Sequence, residues 1–319
     1  MKLTEIETIK SILKDNNLWA KKKFGQNFLV SVDTLNKIIE SAKISENDTV
    51  IEIGPGLGTL TVELSKYAKL VLAIEKDQSL VNFLRQEFKP VKNVKIIHAD
   101  ILEWLNAENL KSLSSDGKYK VVANIPYNIT SVVIRKFLES VHNANSDVVL
   151  FSAARSHPTP DNNRGTGTSQ NDNPRLTAMI LMVQKEVAER ICAKAGNSER
   201  GMLTVMTEFY ADAKIIEVVK KDNFWPVPDV DSAIIEIVPK IDNVKNKKID
   251  QTSFFRIVKI GFSQKRRQLH NTFSAGLRLP KNQLLDILKL AHINPMLRAE
   301  DLTMNDWINF YEHYQKFLD

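Results

Sequence analysis

Short runs of β-branched and aliphatic residues recur along the first three quarters of the chain, separated by stretches whose apolar positions return every three or four residues. The runs predict strands at Thr49–Ile53, Leu70–Ile74, Val94–Ile97, Lys120–Ala123, Met179–Val183, Leu203–Tyr210 and Ala233–Val238. Leu60–Lys66, Ser79–Phe88 and Val132–Leu138 carry helical spacing between the earlier runs. Strands alternating with helices imply βαβ units and a mostly parallel sheet with right-handed crossovers. After Pro239 the strand signal stops, and Phe254–Ile260, Lys265–Phe273, Gln283–Ala291 and Asn305–Phe317 read as helices. The pattern therefore predicts an α/β body over residues 1–240 and a small all-helical domain over 241–319. Phe151–Arg175, rich in Ser, Thr, Asn, Asp, Gly and Pro, has no apolar period and is too long for an ordinary connection. It reads as a flexible insertion at the N-terminal edge of the sheet, opposite the carboxyl ends where ligands of such sheets bind.

Composition narrows the class. A chain of 319 residues with 43% apolar content can bury a sizeable core. Its one cysteine, Cys192, excludes an internal disulfide framework and a Cys-rich zinc site, and six histidines without paired metal-ligand spacing give no metal site. No apolar run approaches the roughly 20 residues that cross a bilayer, and Met1–Lys10 alternates charge instead of building a leader. These features predict a soluble, unprocessed, cytoplasmic protein without membrane partners, expected to be a monomer. Net charge is only +6, but Lys240–Lys281 holds eleven Lys and Arg against Asp242 and Asp250. Such a block on an otherwise slightly acidic body is the footprint of a polyanion, because each phosphate neutralised releases a counterion. Lys21, Lys22 and Lys23 form a second, smaller cluster.

The sharpest local signal is Glu52-Ile53-Gly54-Pro55-Gly56-Leu57-Gly58, an apolar strand running into glycines and then a helix. Glycines there let backbone approach a ligand where a Cβ would clash. The spacing is not the pyrophosphate-binding Gly-x-Gly-x-x-Gly, and no Gly-Lys-Ser/Thr follows, which excludes a nucleoside triphosphate loop. Glu75 closes the next strand, placed to accept both hydroxyls of a ribose, and Asp100 ends the third strand region, placed to accept an adenine amine. Taken together they fit an adenosyl ligand without a pyrophosphate. The fourth strand ends in Asn124-Ile125-Pro126-Tyr127. Its amide and carbonyl acceptors can hold both N–H groups of a planar amine, turning the nitrogen lone pair toward an incoming methyl group, while Tyr127 stacks on the base.

Six ordered motifs, namely Gln26-Asn27-Phe28-Leu29, Glu52-x-Gly54-x-Gly56-x-Gly58, Glu75 with Asp100, Asn124-Ile125-Pro126-Tyr127, Gln184–Arg190 and Phe224–Ala233, resemble the ribosomal RNA adenine dimethyltransferases over roughly residues 15–315, interrupted by the 151–175 insertion. The extended helical C-terminal part and Gly261–Asn271 are similar to the bacterial small-subunit branch, not the antibiotic-resistance branch. The resemblance implies a Rossmann-like domain that takes S-adenosylmethionine as methyl donor and dimethylates two adjacent adenines near the 3′ end of small-subunit ribosomal RNA, within a pre-ribosomal small subunit. It implies that Asn27 and Leu29 contact the methionine end and that Gly54 packs against the cofactor. Glu75 then holds the ribose, Asp100 the adenine amine, and Asn124 faces both cofactor and target. Phe224 is implied to sandwich the flipped adenine against Tyr127. Lys265, Arg266 and Arg267, expected at a helix start where cations oppose the dipole, are assigned to RNA phosphates. Gln184–Arg190 is expected to be a structural helix with Val187 and Ile191 inward.

Overall fold

The computed structural model describes residues 3–20, 26–111, 113, 118–143, 175–240 and 249–318. The lysines at 21–23, nearly all of the insertion and the basic residues at 245–248 lie outside them. Helix α1 (Ile6–Asp15) leads to a two-residue strand β1 (Phe28–Leu29) and helix α2 (Val32–Ala42). The βαβ run follows: β2 (Thr49–Ile53), α3 (Thr59–Ser65), β3 (Leu70–Glu75), α4 (Gln78–Glu87), β4 (Val94–His98). Two short helices, α5 (Ile101–Trp104) and α6 (Ala107–Lys111), precede β5 (Lys118–Asn124) and α7 (Thr130–Asn143). Then come β6 (Arg175–Gln184), α8 (Lys185–Ile191), α9 (Met202–Tyr210), β7 (Ala211–Val219), the two-residue β8 (Phe224–Trp225) and β9 (Ser232–Pro239). The C-terminal part is helical: α10 (Gln251–Gly261), α11 (Leu269–Leu277), α12 (Lys281–Leu290) and α13 (Met304–Leu318).

Seven strands form one sheet in the order β4-β3-β2-β5-β6-β9-β7, and β1 pairs separately with β8. β2 through β6 are parallel, while β9 runs antiparallel to both β6 and β7. The central strands read as continuous apolar runs because helices cover both faces: all of β2 is buried. Chain order reverses between β2 and β5, so the carboxyl ends of those neighbours splay their following loops apart and leave a crevice. Arg175 opens β6 opposite Lys118, at the end of the sheet away from that crevice.

Two expectations fail instructively. Leu203–Tyr210 is not a strand; it lies in helix α9, with Thr204, Val205, Met206, Thr207, Phe209 and Tyr210 all buried. A helix apolar on nearly every side has no amphipathic period, and its β-branched and aromatic residues imitate a buried strand. The strand comes directly after, as β7, whose alternation is broken by a bulge between Ile215 and Glu217 and whose edge carries the Lys214–Glu236 ion pair at 2.6 Å. The second failure concerns Lys265–Phe273: α11 begins at Leu269 with Gln268 as N-cap. Lys265, Arg266 and Arg267 instead occupy the exposed turn between a short 3-10 helix (Phe262–Gln264) and the N-cap of α11.

The helical part has no core separate from the sheet. Phe209 of α9 packs on Phe254 and Phe255 of α10, with ring centroids 4.9 and 5.2 Å apart. Arg200, 1% exposed in the loop before α9, donates to the Leu302 and Ala193 carbonyls at 3.1 Å and to Glu208 at 2.6 Å. A guanidinium with its hydrogen-bonding capacity spread over three partners is a costly thing to bury unless the geometry is fixed, so it locks the two parts in one orientation.

Candidate active site

At the carboxyl ends of β2, β3 and β5 the loops enclose a cavity of about 250 Å³. Its walls include Asn27, Phe28 and Leu29 from β1, Glu52 through Leu57 from the glycine loop, and Glu75 with Lys76. Asp100 and Ile101 complete it on one side and Asn124 through Ile129 on the other. The loop takes this shape because Gly54, Gly56 and Gly58 have φ of +64°, +62° and +87°, a left-handed region that side chains with a Cβ rarely enter. At Gly58 there is a second reason, since a Cβ would lie 2.6 Å from the Phe88 ring.

The acids are held differently. Glu75 ends β3 almost fully buried, accepting the Asp77 N–H at 2.8 Å and a further N–H from Gly56. Burial pushes its carboxyl above the ordinary range, against those donors. Asp100 caps α5 through the Leu102 N–H at 2.9 Å, and its other oxygen takes the Lys76 ammonium at 2.7 Å. Partial burial raises its pKa, but Lys76 and the Leu102 N–H outweigh this and leave it below the usual value. Glu52, on β2, is 1% exposed, and its Oε2 has no hydrogen-bond partner. Burial first, with the Glu75 carboxylate adding, raises its pKa to about 8.

Asn124 closes β5 and donates through Nδ2 to the Asn27 carbonyl at 3.2 Å, which ties the end of β5 to the segment entering β1 and leaves Oδ1 as an acceptor. The chain then turns through a 3-10 helix, Tyr127–Ile129, with the Pro126 carbonyl accepting the Ile129 N–H at 3.2 Å. The Tyr127 hydroxyl shares a hydrogen bond with Ser232 at 2.8 Å, and its ring lines the cavity.

The structure thus brings Asn27, Leu29, Gly54, Glu75, Asp100, Asn124 and Tyr127 around one cavity. Phe224 is not among its walls. On β8, opposite Leu29, its ring is 1% exposed in a core with Leu29, Ile180, Met182 and Ile234, so the expected sandwich with Tyr127 is absent from this conformation. Apolar surface without a base to cover it is better placed in the core than in the open cavity. Lys265, Arg266 and Arg267 lie outside this site, and the last two line a polar hollow with Gln268, Asn271 and Arg298. Sequence reasoning gave Glu52, Lys76 and Ser232 no part; a lone acid inside an apolar strand was the available signal for the first. Val187 and Ile191 of α8 do pack inward.

A cavity at the sheet's reversal point, floored by glycines and flanked by a buried ribose-type acid and an adenine-type acid, with Lys76, the one lysine among its described lining residues, paired to Asp100, fits an adenosyl group ending in an amino acid. These features define a Rossmann-like methyltransferase using S-adenosylmethionine. A family model described as ribosomal RNA adenine dimethylase matches residues 17–316. A ribosomal RNA small subunit methyltransferase A of Dehalococcoides mccartyi (strain CBDB1) is 38% identical over 298 residues, covering 93% of this chain and 89% of the relative. One from Lysinibacillus sphaericus (strain C3-41) is 34% identical, covering 95% and 94%. Among solved structures, a dimethyladenosine transferase from Plasmodium falciparum is 26% identical with a TM-score of 0.66, covering 90% of this chain and 97% of that one. The 23S rRNA methyltransferase ErmE, 23% identical with a TM-score of 0.63, shares the fold, covering 91% and 100%. The chain belongs to the ribosomal RNA adenine dimethylase family, and its reaction is methyl transfer from S-adenosylmethionine to adenine of ribosomal RNA.

Proposed function

We propose that this enzyme dimethylates two adjacent adenines near the 3′ end of small-subunit ribosomal RNA, acting as a monomer in the cytoplasm on a pre-ribosomal small subunit. The observation that carries the reading is Asn124, set between the Asn27 carbonyl and the cavity at the end of β5. When bound, S-adenosylmethionine supplies a methyl group on a positively charged sulfur. The protein's work is alignment, because charge is cancelled in such a displacement and little new charge needs stabilising.

In this reading Glu75 accepts the ribose hydroxyls and Asp100, kept anionic by Lys76, accepts the adenine amine of the cofactor. Asn27 and Leu29 contact its methionine end, and Gly54 lets the backbone pass close beneath. The target amine is held by Asn124 Oδ1 and a backbone carbonyl. With the Pro126 carbonyl engaged by Ile129, that of Ile125 is the second acceptor. Tyr127 covers one face of the base. Phe224 supplies the other after its ring rotates out of the core, a movement that β8 permits because it pairs with β1 alone and not with the main sheet. Residues 1–240 form the methyltransferase domain. Residues 241–319 form the RNA-binding domain, where Lys265, Arg266 and Arg267 bind backbone phosphates.

The test is transfer of labelled methyl from S-adenosylmethionine to small subunits lacking these modifications, with large subunits in parallel and the labelled nucleoside identified. Dimethyladenosine confined to the small subunit is expected. Label only in the large subunit, or tight subunit binding without transfer, contradicts the reading.

A further inference from the structure

We propose that Ser232 is a positioning residue for the target base: its hydroxyl holds the far end of the Tyr127 side chain, and with it the place of the ring on which the adenine stacks. This rests on the reading of Tyr127 just given. Ser232 is the first residue of β9 and is 0% exposed. Its backbone lies between two strands, opposite Gln184 of β6 and Val219 of β7. The hydroxyl therefore starts from one of the most constrained points of the sheet. Tyr127, in contrast, follows the end of β5 in a short turn and is only partly buried, so its ring has freedom that a stacking partner must lose.

The residue before Ser232 strengthens the anchor. The Asp231 carbonyl accepts the Lys185 N–H at 3.0 Å, its Oδ1 accepts the Lys221 N–H at 3.0 Å, and its Oδ2 pairs with the Lys220 ammonium at 3.1 Å. Asp231 thus staples together the two ends of the loop that carries Phe224. The 2.8 Å bond between Ser232 and Tyr127 ties that fixed base to a residue lining the cavity. Each hydroxyl also gives the other the partner that a group withdrawn from water needs. A ring held at both its Cβ and its hydroxyl keeps its long axis fixed, the preference of a phenol O–H for the ring plane limits rotation about that axis, and in a displacement reaction a small tilt of the acceptor nitrogen off line is enough to slow transfer.

The experiment is a double-mutant cycle of S232A and Y127F, read by single-turnover methyl transfer to unmodified small subunits and by S-adenosylmethionine affinity. Y127F keeps the stacking ring and removes only the hydroxyl, so it probes the bond even where S232A folds poorly. We expect each single variant to lower the transfer rate about tenfold, the double variant to be no slower than either, and cofactor affinity to stay within about twofold. Transfer at the wild-type rate in Y127F, or losses that multiply in the double variant, would overturn the proposal. Absence of adenine methylation by the wild-type enzyme would instead overturn the reading on which it rests.

Discussion

Glu52 shows what a single carboxyl can do inside an apolar strand. It sits on β2 beside Glu75 on β3, with Oε2 unpartnered, and two buried acids this close do not both ionise cheaply. Its folded pKa of about 8 exceeds the unfolded value, so the folded state binds the extra proton and stability falls as pH rises from about 4.5 through 8. E52Q copies the neutral acid. It is therefore expected to match wild type near pH 5 and to exceed it by a few kcal/mol, as an order of magnitude, near pH 8. Equal stability of the two proteins at pH 8, measured by urea unfolding, would contradict this. At this scale most of the site was legible: Glu75, Asp100 and Asn124 stand at strand ends, where an ordered set of acids and an amide has meaning even without coordinates. Glu52 was legible as a residue but not as a neutral one, because its protonation depends on burial that only packing decides. Phe224 shows the same limit, since a motif names an aromatic residue without saying which way its ring turns.

Among the elements, the pattern placed the half-exposed helices and the short buried strands, and failed for a helix with almost no wet face and for an irregular edge strand. The half-exposed helices α4 and α7 and the buried strands β2 and β3 lie where their patterns put them, whereas α9 was read as a strand because it has almost no polar face. β7 escaped notice for the opposite reason, as an edge strand interrupted by charges and a bulge. The turn between α10 and α11 matters most for the partner. Lys265, Arg266 and Arg267 precede Gln268 instead of starting α11, and all three are exposed in that turn. Changing all three to alanine is expected to weaken RNA binding and to flatten the plot of log affinity against log salt by roughly two to three units. An unchanged slope would return the cluster to a merely solvated turn.

For the whole molecule, the decisive feature is that the cavity-bearing sheet and the helical C-terminal part belong to one packed body. The boundary near residue 240 is real in the sequence, as a change from strands to helices, but Phe209, Phe254 and Phe255 pack across it and Arg200 bridges it to Leu302. Pattern alone does not reveal this, because contacts between distant residues leave no periodic trace. In the function proposed above, that link presents RNA held on the helical part to the cavity at a fixed distance, so affinity and chemistry reside in different residues. Asn124 tests that division. N124A removes the amide that holds the target amine and touches none of the basic turn. Single-turnover transfer is expected to fall by at least about a hundredfold while RNA affinity stays within a few fold of wild type. Parallel loss of both, or transfer near the wild-type rate, would contradict the account.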